Sequence, residues 1–321
     1  MKTILVLHTG GTISMSKEAD GNVALNTMNP LLDQEKLLEG KVNLIVEEIF
    51  NIPSPHMTLE RMLELKQRIQ KAYDEAIDGV VITHGTDTLE ETAYFLDITL
   101  EHKIPIVLTG AMRSSNEIGT DGLYNFISAV FTACSEESYG KGVLVVMNDE
   151  IHTARYVTKT HTTNVATFRT PTFGPIGMIA KEKTFFASEV PPQEVCDIQT
   201  VAGNVYVIKA YAGMDGSLFE LVDNDQTAGI VIEALGAGNL PPETLPALKK
   251  ILARNIPVVL VSRCSNGIAE DIYDYEGGGV NLKKMGIIFS RGINGPKARI
   301  RLIVGLNSGK SMEELNAFLS E

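Results

Sequence analysis

Between residues 4 and 147 the chain repeats one pattern: a short, nearly continuous apolar run, then a stretch whose apolar residues return every three or four positions. The runs fall at 4–8, 44–50, 79–83, 104–109 and 142–147. They are rich in Val and Ile and lack polar alternation, so they suit strands buried on both faces of a parallel sheet. Between them, Leu59, Met62, Leu63, Ile69 and Tyr73 mark one helical face. Leu123, Phe126, Ile127, Val130, Phe131 and Cys134 mark another. Strand–helix–strand repetition predicts an α/β fold with a doubly wound, mainly parallel sheet in a large N-terminal domain.

Beyond Met147 the pattern loosens. "TKTHTTNVATFRTPTFGPIG" has many threonines and scattered Pro and Gly, as a long loop or hairpin has. Residues 186–203, holding "SEVPPQEVCDIQT", read as an exposed linker. Strand-like runs then resume at 205–210, 229–234, 258–262 and 287–289, with helical patterns between them that include Leu245, Leu248, Ile251 and Leu252. The predicted organisation is an N-terminal α/β catalytic domain over 1–190, a linker over 191–203 and a smaller C-terminal α/β domain over 204–321.

Composition narrows the function. Hydrophobic residues at 44% and charged ones at 21% describe a globular protein with ample core. A net charge of −12 argues against nucleic acid or an anionic membrane as partner. Cys134, Cys196 and Cys264 are widely separated, as free thiols in a reducing compartment are. The six histidines form neither HExxH nor an i, i+4 pair, so no catalytic metal is expected. The leading apolar run, residues 4–7, is too short for a secretory core, and no run nears the roughly 20 apolar residues of a membrane span. A cytoplasmic location is expected. "TGGTIS" departs from the dinucleotide pattern GxGxxG. "GLNSGKS" is one residue short of a phosphate loop, and its Ser311, before "MEEL", suits a helix N-cap. No cofactor is expected.

Ligands of open parallel sheets bind beyond the carboxyl ends of the strands. Four loops there carry hydroxyls or glycine: "HTGGTIS", "FNIPSPHMT", "THGTDT" and "LTGAMRSS". Thr9, Thr12, Ser54, Thr86, Asp87 and Thr109 are expected to face one crevice. Each also has an ordinary structural account. Thr12 suits a Gly-rich turn, and Thr86, Asp87 or Thr88 suits the cap of a helix beginning near Leu89, with Glu90 and Glu91 at its positive end. Convergence of four such loops favours a site. Hydroxyls with an Asp and a Lys suit acyl transfer, provided a neighbouring base deprotonates one hydroxyl. His56 and His84 lie near the rim but suit packing equally, and neither is cast as the base. Lys159, in "YVTKTHTTN", sits among threonines; a lysine serves as base where its surroundings favour the neutral form, and is otherwise a solvated loop residue.

"HTGGTIS" with "THGTDTLEET" some way downstream resembles the two signature segments of the bacterial-type L-asparaginases. The resemblance continues through "LTGAMR", "DGLYN", "MNDEI", "VTKTHTTNVATF", "GPIG" and "GAGNLP", in order along nearly the whole chain. It implies metal-free hydrolysis of the side-chain amide of L-asparagine to L-aspartate and ammonia. Thr12 takes the place of the nucleophile, forming a β-acyl ester. Thr86, Lys159 and Asp87 match the second catalytic group. Backbone N–H groups of Thr12 and Thr86 would bind the oxyanion, and the Ala111 carbonyl the leaving ammonia. The residue chemistry agrees, because Asp87 would accept the substrate ammonium while Ser54 and nearby amides donate to its carboxylate.

The resemblance also implies a homo-oligomer, dimer or tetramer, whose site is completed near a subunit contact. Asn239 in "GAGNL" matches the asparagine that reaches across. The accompanying glutamate has no clean match: Gly279 takes its place, with Glu276 a candidate. Family members commonly carry a tyrosine in the loop after the first motif, and residues 13–32 hold none. Residues 14–29 suit either a lid or a plain connection. Competing functions are a broader glutaminase-asparaginase, a non-catalytic amino-acid binding protein and an amidotransferase subunit acting on tRNA-bound glutamate, which the acidic surface suits poorly.

Overall fold

The computed structural model describes residues 1–18, 22–26, 31 and 37–321. The chain divides into two units, Met1–Val195 and Cys196–Glu321. Strands of the first unit are β1 (Thr3–Gly10), β2 (Met15–Lys17), β3 (Val23–Leu25), β4 (Asn43–Ile52), β5 (Gly79–Thr83) and β6 (Ile106–Thr109). They continue with β7 (Val143–Met147), β8 (Glu150–Thr153), β9 (Thr158–Lys159), β10 (Phe168–Arg169), β11 (Gly177–Ala180) and β12 (Lys183–Phe186). Its helices are α1 (Leu59–Ala72), α2 (Leu89–Thr99) and α3 (Gly122–Cys134).

The main sheet runs β12-β11-β8-β7-β6-β5-β1-β4. From β4 to β7 every pairing is parallel. Four of the five apolar runs behave as two-faced burial requires: Ile4 and Val6 join a core with Val81, Val107, Phe126 and Val130, while Leu5 and Leu7, pointing the other way, are equally without exposure. The run at 44–50 does not, because β4 is the edge strand of the sheet: none of its residues is fully buried, and Ile45 is exposed. On α1 the fully buried stripe is Met62, Leu65, Lys66, Ile69 and Ala72, with Leu59, Leu63 and Tyr73 only half-buried.

The segment after Met147 adds three antiparallel pairings, β7–β8, β8–β11 and β11–β12. The two tight hairpins turn at Asn148–Asp149 (φ 51 and 65) and Lys181–Glu182 (φ 48 and 67), the doubly left-handed turn that matches strand twist. The expected exposed linker is tied down along part of its length. Glu189 pairs with Lys141, Gln193 donates to the Asp97 carboxylate, and Cys196 and Ile198 are buried.

The second unit contains β13 (Asn204–Lys209), β14 (Thr227–Ala234), β15 (Val258–Ser262) and β16 (Ile288–Phe289), parallel and in that order. Its helices are α4 (Ser217–Val222), α5 (Leu245–Ala253), α6 (Gly279–Lys284), α7 (Gly295–Leu306) and α8 (Met312–Ser320). Ile230, Ile232, Leu260, Phe219, Leu248 and Ile251 form its core. Ser311 caps α8 in a reciprocal box with Glu314, and no phosphate loop is formed there. No helix among the described residues is long and apolar enough to cross a membrane.

Candidate active site

Three loops meet beyond the carboxyl ends of β1, β4 and β5, and glycine lets them touch. Gly11 has φ +83, and a Cβ there would lie 2.2 Å from the Gly85 Cα. A Cβ on Gly85 would in turn lie 2.7 Å from the Ser54 Cβ and Oγ. Backbones this close exclude any side chain. The Gly11 N–H donates to the Ile52 carbonyl at 3.0 Å, and the chain then enters a short 3-10 turn, Thr12–Ser14.

The turn opens onto a cavity of about 410 Å³. Thr12, Ser54, Thr86, Asp87 and Lys159 line it together, beside Gly11, Gly85, Met112 and Glu117. The hydroxyls and carboxylate before α2 are not spent on capping. Thr88 occupies the N-cap position without a side-chain cap bond, and its hydroxyl donates to the Ser54 carbonyl at 2.9 Å. The Asp87 N–H donates to Ser54 Oγ at 3.2 Å, which ties the second and third loops. Lys159 Nζ donates to Thr86 Oγ1 at 2.9 Å and to Asp87 Oδ1 at 2.7 Å.

Fold stability does not account for that arrangement. The Asp87 side chain is 59% exposed, and an ion pair so wet contributes about 0–1 kcal/mol. The Lys159 side chain is only 17% exposed, so it loses water and side-chain entropy for little return in stability. What it gains is a cation placed against a hydroxyl on a cavity wall.

His84 does not supply a base. It is fully buried, its Nδ1 lies 2.7 Å from the Gly85 carbonyl and its Nε2 lies 2.9 Å from Thr92 Oγ1. A carbonyl only accepts, so Nδ1 carries the proton. Burial lowers its pKa from 6.5 to about 4, against the weaker opposing effect of the Gly85 carbonyl. His56 is exposed, at the end of the 3-10 turn Ser54–His56.

Two expected members of the crevice are absent from it. Thr9 and Thr109 are buried within the sheet, donating to the carbonyls of Thr83 at 3.0 Å and Val146 at 2.7 Å. Pleat parity turns them inward, which a count of hydroxyls in a loop does not reveal. Ala111 is buried, in a loop held by α3: the Asp121 carboxylate accepts from Met112 and Arg113 N–H, and Asn125 Nδ2 donates to the Gly110 carbonyl at 3.0 Å. Asn239 belongs to the second unit, where its Oδ1 accepts from Gly279 N–H at 3.3 Å. Glu276 is exposed.

Sequence reasoning missed Met15, Val23, Met112, Ser114, Glu117 and Thr162 as lining residues. Met112, Ser114 and Thr162 were within reach, being beside "LTGA" or in the Thr-rich segment around Lys159. Met15 and Val23 fell inside the segment that suited a lid or a plain connection, but the pairing of β2 with β3 that brings them to the cavity was not read. That hairpin is fastened to the cavity rim: Ser115 N–H donates to the Met15 carbonyl at 3.0 Å, and Asn116 exchanges hydrogen bonds with the Lys17 main chain at 2.7 and 2.8 Å. Of the expected lid, residues 19–21 and 27–29 lie outside the described residues. No tyrosine lines the cavity among the described residues, nor do His, Cys, Asp and Glu cluster there as for a metal.

Fold and site together define a class: mixed α/β proteins whose loops gather threonines, an aspartate and a lysine around one cavity. Residues 3–192 match the family model for the asparaginase N-terminal domain, and residues 204–319 match that for the glutaminase/asparaginase C-terminal domain. The chain belongs to the asparaginase family. It is 37% identical over 311 residues to an L-asparaginase of Bacillus licheniformis, covering 96% of this chain and 97% of that one. It is 30% identical to a glutaminase-asparaginase of Pseudomonas aeruginosa, covering 100% of this chain and 91% of the relative. Its fold superposes on the crystal structure of a probable cytoplasmic L-asparaginase from Campylobacter jejuni with a TM-score of 0.88, at 34% identity and 99% of both chains.

Proposed function

We propose that the chain is an L-asparagine amidohydrolase, releasing L-aspartate and ammonia through an ester on a threonine. The single observation that carries this is the shared cavity, lined both by Thr12 and by the Thr86–Lys159–Asp87 cluster joined through Lys159 Nζ. The Thr12 hydroxyl attacks the amide carbon, and its proton is relayed through the Thr86 hydroxyl, which the Lys159 ammonium holds in place, to the departing amide nitrogen. Collapse of the tetrahedral adduct expels ammonia past the Ala111 carbonyl, and water then cleaves the ester to regenerate Thr12. N–H groups of the Thr12 and Thr86 turns receive the oxyanion. Asp87 takes the substrate ammonium and Ser54 its carboxylate, so an analogue lacking either charge binds poorly.

Residues 1–190 act as the catalytic domain and 204–321 as the smaller one, joined through 191–203. The enzyme works in the cytoplasm, without a cofactor, as a homo-oligomer in which Asn239 completes the site near a subunit contact. Likeness to a glutaminase-asparaginase supports a second reading, in which the cavity also takes the longer amide of glutamine.

Thr12→Ala is expected to reduce ammonia release from L-asparagine by about 10,000-fold or more, with the far-ultraviolet circular dichroism unchanged. Undiminished turnover in that variant removes Thr12 from the mechanism. Trapping an aspartyl ester by mass spectrometry separates an enzyme from a non-catalytic binder, and initial rates with L-Gln beside L-Asn separate the two amide specificities.

A further inference from the structure

One helical turn holds Lys159 from two directions. Thr86 and Asp87, just before α2, receive its ammonium. Glu90, in the first turn of α2, receives its main chain: Glu90 Oε1 accepts from the Thr158 hydroxyl at 2.9 Å and from the Lys159 N–H at 3.4 Å. Glu90 is 9% exposed, and a carboxylate so withdrawn persists only where donors surround it.

The strand that carries Lys159 needs such a tie. β9 has two residues and pairs with the equally short β10 in a sheet apart from the eight-stranded one. Strands so short give little rigidity of their own. A lysine stem has four rotatable methylenes, so holding its root reduces the conformations in which the ammonium misses Thr86.

We propose that Glu90 is a positioning residue for Lys159, locking residues 158–159 to the first turn of the helix that directly follows Thr86 and Asp87. The cation and the hydroxyl it serves are then set by the start of α2 and the turn that leads into it. This rests on the catalytic role proposed above for Lys159. Misplacement of a catalytic group by about 1 Å costs on the order of 100-fold in rate, while substrate binding through Ser54 and the loop amides is untouched.

The test uses the full chain, with kcat and KM for L-asparagine. Glu90→Ala is expected to lose roughly 30- to 100-fold in kcat with KM within about threefold. Glu90→Gln keeps an oxygen for the Thr158 hydroxyl and is expected within about fivefold of the parent, with Thr158→Val between the two. In a Lys159→Met background, Glu90→Ala should change the residual rate less than about twofold, because nothing remains to be placed. Parental kcat in Glu90→Ala, or an equal loss in both backgrounds, overturns the proposal. So does a Gln variant as slow as the Ala variant. Should Glu90→Ala not fold, Thr158→Val at parental kcat overturns it alone. Full activity in Lys159→Met sinks the catalytic reading itself, whereas an impaired Lys159→Met beside an unimpaired Glu90→Ala sinks only the role of Glu90.

Discussion

His8, near the end of β1, and His84, just past β5, are both buried. Burial lowers each pKa from 6.5 to about 4. The folded protein therefore keeps them neutral where the unfolded chain binds protons. Their contribution to stability is complete above pH 6.5 and is lost as pH falls toward 4, by roughly 3 kcal/mol per histidine. Urea midpoints measured from pH 7.5 to 4.5 should fall steeply, and His84→Asn should flatten that slope. His102 has the opposite sign. Burial lowers its pKa, but the Asp97 carboxylate outweighs it and raises the value above 6.5. Its contribution is present below 6.5 and is lost as pH rises through the raised value, so His102→Gln should cost more stability at pH 6 than at pH 9.

At this scale the sequence disclosed residue types and not orientations. Thr12, Ser54, Thr86 and Asp87 were legible from loop position, Lys159 was decided only through the family resemblance, and all five line one cavity. Thr9 and Thr109 belonged to the same loops and point into the sheet. Thr9 and Thr109 still belong to strands, whereas Thr12 follows the turn at Gly10 and Gly11 that carries the chain out of the sheet.

Among the elements, the loop crossing at Gly11, Gly85 and Ser54 fixes the geometry of the site. Gly11→Ala adds a Cβ where Gly85 already stands and forces a left-handed residue. It should cost about 2–4 kcal/mol and suppress turnover, read as a lowered melting temperature with ammonia release lost in the variant that still folds. The parallel strands and their helices were readable from continuous apolar runs and a three-to-four repeat. The β7–β8 hairpin had a signal in "NDE", since Asn and Asp tolerate the left-handed turn they form. The β11–β12 hairpin had none: Lys181 and Glu182 are poor turn residues, held left-handed by the strands they join.

For the whole molecule, each unit has its own core and its own sheet. A fragment spanning residues 196–321 should therefore fold by itself, with a cooperative urea transition by circular dichroism. A gradual, non-cooperative loss of signal would contradict that.

Apolar periodicity, glycine placement and the order of the hydroxyl-bearing segments determined the α/β architecture, the family and most of the cavity wall. These are local properties, written in each element's own pattern of burial. Tertiary structure alone decided which threonine faces the cavity, that Glu90 meets the strand bearing Lys159, and that the β2–β3 hairpin is fastened over the rim. Those depend on pairing between segments far apart in the chain, whose register and pleat no single segment specifies.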